Sequence, residues 1–169
     1  MEGEEKMKRK NGGFSLIEVL VVLGIIGILS SFVTPKVMNY TAKAKDVKAV
    51  SMLESIRTAA EMRYLEEGKT FEKDGELTKD DMEDLKNYLS DNFDSMLSGL
   101  TQAEDVFEME IGGSREKIGE ELGDIVYGGT IAFTTTAPSN KKADKINVWI
   151  KPQGMTKEYN ISGEKWEEL

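Results

Sequence analysis

The sequence contains no cysteine and no histidine. The first absence excludes disulfides, thiol nucleophiles and thiolate metal sites. The second removes imidazole acid–base catalysis and, with cysteine gone, the usual zinc ligand sets. Positive charge is also scarce: 22 Lys and Arg face 31 Asp and Glu, a net charge of −9 over 169 residues. Such a chain repels phosphate backbones, so nucleic acid is a disfavoured partner. No glycine pattern has the spacing of a nucleotide-binding loop. Nothing here predicts an enzyme, a cofactor or a metal centre.

What is present is one long apolar run. From Phe14 to Val33 the chain reads FSLIEVLVVLGIIGILSSFV, 20 residues with one charge, Glu18. A helix of that length spans roughly 30 Å, the hydrocarbon thickness of a bilayer. A short leader with Lys8, Arg9 and Lys10 precedes it, and a polar remainder follows. Three readings compete. Ala42-Lys43-Ala44 offers a signal-peptidase match, but secretory apolar cores run about 7–15 residues. A plain single-pass anchor explains the length but not Glu18. An ionisable side chain in a membrane segment costs about 2.5–3.5 kcal/mol, which makes Glu18 a functional candidate. If the chain were cut before Phe14, the new amine would lie within a turn of Glu18, and the helix dipole would favour the carboxylate there. In an assembly, the free amine of a neighbouring chain is its natural partner. The bland alternative is that Glu18 reaches the interface by itself.

Lys8-Arg9-Lys10-Asn11-Gly12-Gly13 followed by Phe14-Ser15-Leu16-Ile17-Glu18-Val19 resembles the N-terminal signal of type IV pilins and type II secretion pseudopilins. The resemblance covers roughly residues 8–66. It implies that a membrane prepilin peptidase cuts between Gly13 and Phe14 and methylates the Phe14 amine. It implies that Glu18 is the assembly carboxylate. Pro35 stands where many members of that family also have proline. The implied partners are the prepilin peptidase/methyltransferase, copies of the chain and other pilin-like subunits in a helical filament, and an inner-membrane assembly platform. The implied location is the bacterial cytoplasmic membrane before assembly, with the N-terminus inside and the head outside, then an extracytoplasmic filament. Lys8, Arg9 and Lys10 favour that topology, although Lys36, Lys43, Lys45 and Lys48 nearly balance them. Pilus, secretion pseudopilus and competence (DNA-uptake) filament stay open, as does a membrane-anchored protein of unrelated function. The leader begins at Met1 or at Met7; the latter gives MKRKNGG, with three positive charges and no acid.

The expected fold class is α+β, a long N-terminal helix packed on a small antiparallel sheet. Residues 1–13 form the leader, 14–34 the transmembrane or filament-core helix, 35–67 an amphipathic extension, and 68–169 a head with a short helix and about four strands. In the extension Ala49, Leu53, Ile56, Ala60 and Tyr64 form an apolar stripe. Lys45, Lys48, Ser51, Ser55 and Glu66 lie opposite. Pro35 would kink or loosen the helix, and Gly24 and Gly27 add weak points or close-packing sites, Gly27 pairing with Ser31. Gly68 ends the helix.

Thr78 with Asp81 resembles a capping box, and Met82, Leu85, Leu89 and Phe93 mark one face of a second helix that Met96, Leu97 and Leu100 could continue. The acids at 80, 81, 83, 84, 91 and 94 suggest a calcium site by composition, but no loop spacing supports one, so a solvated face is the expectation. Asp124–Tyr127, Gly128-Gly129 and Thr130–Thr136 predict a two-residue hairpin. A loop over 137–144, a strand over 145–151 with Ile146, Val148 and Ile150 inward, a turn at Pro152-Gln153-Gly154, and a strand over 156–161 with Tyr159 and Ile161 inward complete the sheet. The C-terminal disulfide loop of many pilins is absent, so the sheet edge must be held another way.

Overall fold

The computed structural model describes residues 14–89, 100–103 and 106–169, with only the backbone at 100–103. The leader, Gly13 and the segment carrying Asp91, Phe93, Asp94, Met96 and Leu97 lie outside the described residues. The chain divides into two compact units, one up to Met38 and one from Asn39 to Leu169. Helix α1 (Leu16–Glu67) contributes to both.

In the first unit every described residue from Phe14 to Met38 is exposed. This is the one described helix long and apolar enough to cross a membrane by length and composition. Leu16 is 77% exposed and Phe32 68%. Leaving so much hydrocarbon in water is unfavourable by roughly 25 cal/mol per Å², so the segment needs lipid or other helices around it. Assigned helix runs through Pro35. Proline cannot donate to the carbonyl four residues back, that of Ser31. Nearby, the Ser31 hydroxyl donates to the Ile28 carbonyl (2.7 Å) and the Thr34 hydroxyl to the Ser30 carbonyl (2.8 Å). Such back-bonding competes with the helical ladder and bends helices slightly.

In the second unit, α1 buries Ala42, Asp46, Ala49, Met52, Leu53, Ile56, Ala59, Ala60 and Arg63. Their spacing of three and four residues keeps one face on the core. The predicted stripe is correct at Ala49, Leu53, Ile56 and Ala60. Tyr64 is a correction: it is 45% exposed, and Arg63 takes the buried position. Arg63 can do so because its guanidinium stacks 4.9 Å from the Phe71 ring centre and lies 3.7 Å from Asp84. The helix ends as expected. Gly68 adopts φ +69°, and its N–H donates to the Tyr64 carbonyl at 2.9 Å, a left-handed cap that glycine takes without strain.

Helix α2 (Lys79–Leu85) starts with the expected capping box: Asp81 N–H donates to the Thr78 hydroxyl, and Thr78 N–H to the Asp81 carboxylate at 2.9 Å. Met82 and Leu85 face the core. Nine short strands follow among the described residues: β1 (Leu100–Ala103), β2 (Val106–Glu110), β3 (Gly113–Arg115), β4 (Lys117–Ile118), β5 (Glu121–Leu122), β6 (Val126–Tyr127), β7 (Thr130–Thr134), β8 (Trp149–Gln153) and β9 (Tyr159–Asn160). A four-stranded antiparallel sheet has the order β1-β2-β7-β8. A three-stranded sheet has the order β6-β3-β9, and β4 and β5 form a separate hairpin. The core joins Met52, Leu53, Ile56 and Ala60 of α1 to Phe107, Met109, Ile131, Phe133, Val148, Ile150 and Trp166. The fold is therefore α+β, a long helix with small antiparallel sheets.

Several expectations need correction. The predicted hairpin around Gly128-Gly129 does not form. β6 pairs with β3, whereas β7 pairs with β2 and β8. Gly129 sits at φ +121°, too open for a tight primed turn, and Ile111 N–H and Gly128 N–H bond across to the Gly129 and Gly112 carbonyls. These glycines divert the chain from one sheet to another. Leu100 lies in strand β1, not in a helical turn. The strand predicted over 145–151 begins only at Trp149, because the Asp144 carboxylate accepts the Ile146 and Asn147 N–H groups and curls that stretch into a turn. Pro152 and Gln153 belong to β8, and Gly154 turns with φ +58°. The strand over 156–161 shrinks to two residues on β3. Asn160 is buried there and Tyr159 half-buried, because the Asn160 side chain both donates to and accepts from Glu164.

Candidate processing and assembly site

Helix α1 opens at Ser15 with a reciprocal cap. Ser15 N–H donates to Glu18 Oε2 at 2.7 Å, and Glu18 N–H reaches Ser15 Oγ at 3.2 Å. This is the Ser-x-x-Glu capping box. The Ser-x-x-Glu spacing is visible in the sequence, where Glu18 stands out as a charge in an apolar run and not as a cap. The box satisfies two otherwise orphaned groups at the helix start and places the carboxylate at the positive end of the dipole. The other carboxylate oxygen accepts no hydrogen bond among the described residues. Phe14, immediately before the cap, is 89% exposed. An amine there would stand beside the carboxylate of its own chain and be free toward another. Gly13, the other side of the expected cut, lies outside the described residues. Pro35 falls well down the same helix.

Residues 8–34 match the family described as "Prokaryotic N-terminal methylation motif". The chain carries a prepilin-type N-terminus. Beyond the motif, the N-terminal third is similar to a "Fimbrial protein" of Pseudomonas aeruginosa, 44% identical over 54 residues, which are 32% of this chain and 35% of that protein. It is similar to the "Type II secretion system core protein G" of Aeromonas hydrophila, 42% identical over 62 residues, 37% of this chain and 43% of the relative. It is also similar to the "Type IV major pilin protein PilE1" of Neisseria gonorrhoeae, 39% identical over 57 residues, 34% of each chain. The matches thus span well under half of these relatives' length. No solved structure matches the chain. The prepilin-type segment and its long apolar helix fit a membrane-anchored, pilin-like protein.

Away from that segment, the buried acid among the described residues is Asp46, 5% exposed. Its two oxygens accept the N–H of Gly112 (2.9 Å), before β3, and of Ile161 (3.1 Å), after β9. Burial raises its pKa, and the backbone donors of Ile161, Gly112 and Gly113 oppose that rise. Gly112 lies so close to the helix that a Cβ there would overlap the Ala42 backbone. One carboxylate therefore fastens two separate turns of the smaller sheet to α1. This clamp holds a sheet that has no disulfide. In the sequence Asp46 stands only as one acid among nearby lysines.

On the surface, Lys45 pairs with Glu110 at 3.4 Å, while Lys36, Lys43 and Lys48 form no ion pair among the described residues. No group of three or more His, Cys, Asp or Glu among the described residues is arranged to hold a metal ion. The second helical acid cluster is instead partly spent on capping, through Asp81, and on Arg63, through Asp84.

Proposed function

We propose that the chain is a structural subunit of a type IV pilus-like or type II secretion pseudopilus filament. The prepilin-type segment over residues 8–34 carries this reading. In it a prepilin peptidase/methyltransferase cuts between Gly13 and Phe14 and methylates the Phe14 amine. The head lies outside the cytoplasmic membrane and the cut is made on the inner face. An assembly platform lifts the subunit out of the bilayer, with Pro35 loosening the helix, and the exposed apolar helices pack against one another instead of against lipid. An unpaired charge buried in that bundle would be expensive. Glu18 avoids this by keeping its cap on Ser15 and accepting the neighbour's N-terminal amine with its open oxygen. Repetition of one head-to-tail contact that does not close gives an open helical filament. The chain's role is to pack, and no catalytic role is assigned to any residue.

Two measurements test the reading. Mass spectrometry of protein from cells with the peptidase should find a chain beginning at methylated Phe14, and from cells lacking it an intact leader. An intact, unmodified leader in both would overturn the proposal. With processing established, Glu18→Leu expressed as sole subunit should give no sheared filaments; filaments at normal yield would remove Glu18 from assembly.

A further inference from the structure

The filament reading leaves open which part of a head touches its neighbour, and two surfaces of the second unit are complementary. The first is the outward side of α1 beyond residue 39. Tyr40, Ala44 and Val47 fall on one face at steps of four and three, opposite the buried Ala42, Asp46 and Ala49. Tyr40 is 72% exposed and Val47 68%. Lys43 and Lys48 flank this apolar strip, and neither forms an ion pair among the described residues. The second surface is the β4–β5 hairpin. Ile118 is 71% exposed at its tip, opposite Glu121 in the register, and Gly119 (φ +66°) makes the turn. Glu120, Glu121 and Asp124 lie close to it in the chain and outnumber the hairpin's own cation, Lys117, and their carboxylates have no cationic partner among the described residues.

Each surface has an apolar centre with uncompensated charge at its rim, and the signs are opposite. We propose that the β4–β5 hairpin of one subunit docks on the Tyr40–Val47 face of a second copy, with Ile118 against Val47 and Tyr40 and with Glu120 and Glu121 meeting Lys43 and Lys48. The occupant is another copy because a strongly acidic subunit must approach acidic neighbours in the filament. A contact that sets its acids on lysines without an ion pair among the described residues converts repulsion into attraction and fixes the partner's orientation. The two surfaces are different, so the contact is heterologous and propagates rather than closing into a dimer. This inference rests on the filament reading.

The chain has no cysteine, so introduced thiols report without background. Sheared filaments of the full-length Val47→Cys/Ile118→Cys variant, treated with a short bismaleimide, should give a ladder of covalent multimers, and either single variant should give none. Filaments of the double variant that run only as monomers after treatment overturn the docking while leaving the filament reading intact; absence of wild-type filaments would instead overturn that reading. Charge reversal gives an independent readout. Lys43→Glu/Lys48→Glu and Glu120→Lys/Glu121→Lys should each lower filament yield about tenfold, and the combination of all four should restore most of it. Unchanged yield in both double variants, or no recovery in the combination, overturns the pairing.

Discussion

Gly112→Ala is the sharpest test of how the second unit is held. The added Cβ would overlap the carbonyl, carbonyl carbon and Cα of Ala42. All three are helix backbone, so no side chain can swing away, and the turn must retreat from α1. Forcing a methyl into a packed contact costs about 1–3 kcal/mol. Retreat also withdraws the Gly112 N–H from Asp46, and a buried acceptor left short costs about 1–3 kcal/mol. A loss of about 3 kcal/mol is a large part of a typical domain's stability and corresponds to a fall of about 10 °C in midpoint for a unit of this size. The assay is built in, since both tryptophans of the chain, Trp149 and Trp166, are buried in this unit at 3% and 0% exposure. Thermal unfolding of the full chain in detergent, followed by tryptophan emission, should show the shift. Gly24→Ala, whose new Cβ would meet nothing within 4 Å, should leave the midpoint unchanged. A Gly112→Ala midpoint within about 2 °C of wild type would refute the close approach and the clamp together.

Other outcomes follow from the same geometry. Asp46 has a raised pKa in the fold, so its stabilising contribution is fully present below the ordinary value of 3.8 and falls as pH rises through the folded value. Denaturant titrations should therefore show the wild-type advantage over Asp46→Asn shrinking as pH rises from that point; an advantage that grows with pH would contradict the burial. Glu76 behaves oppositely. Lys151, 2.7 Å away, pulls its pKa below 4.5 against the opposing effect of burial, with help from Gln153. Its stabilisation exists above that value and disappears as pH falls through the folded pKa. Lys151→Met should remove that acid-sensitive part, worth no more than about 0.5 kcal/mol for so exposed a lysine, and an unchanged acid limb would discount the pair. Arg63→Ala should cost about 1–2 kcal/mol by uncovering Phe71, and Arg63→Met should recover most of it, because the stem and stacking matter more than the charge; chemical denaturation of the two variants checks the order. Ser15→Ala should weaken the start of α1 by about 1 kcal/mol without blocking processing, read as faster amide exchange over the first helical turn alongside normal leader removal.

The long elements were legible because their periodicity repeats many times. The apolar run needs only length, and the extension repeats its core residues over several turns before Gly68 ends it. The Thr78–Asp81 cap was readable because its partners are three residues apart. The sheets were read poorly for the opposite reason. Strands of two or three residues, such as β3, β4, β5 and β6, are too short to show alternation, and Gly128-Gly129 carries the local signature of a hairpin whose strands are claimed by different neighbours. β2 carries a legible alternation, Phe107 and Met109 against exposed or half-exposed Glu, but it is short and stands between two stronger signals. The Asp46 clamp was beyond local inspection because its donors stand 66 and 115 residues away. Arg63 is missing from the predicted stripe because a charged residue is not expected on a buried face. A ring to stack on and a carboxylate nearby make it acceptable there.

The Asp46 clamp also bears on where and how the head can be matured. A covalent cross-link must be installed by an oxidant after export and can be mispaired or reduced. A carboxylate seated between two amides forms as the chain folds and reforms after every opening. The head can therefore reach its final shape without thiol-oxidising enzymes, and strong reductants should leave its unfolding midpoint unchanged.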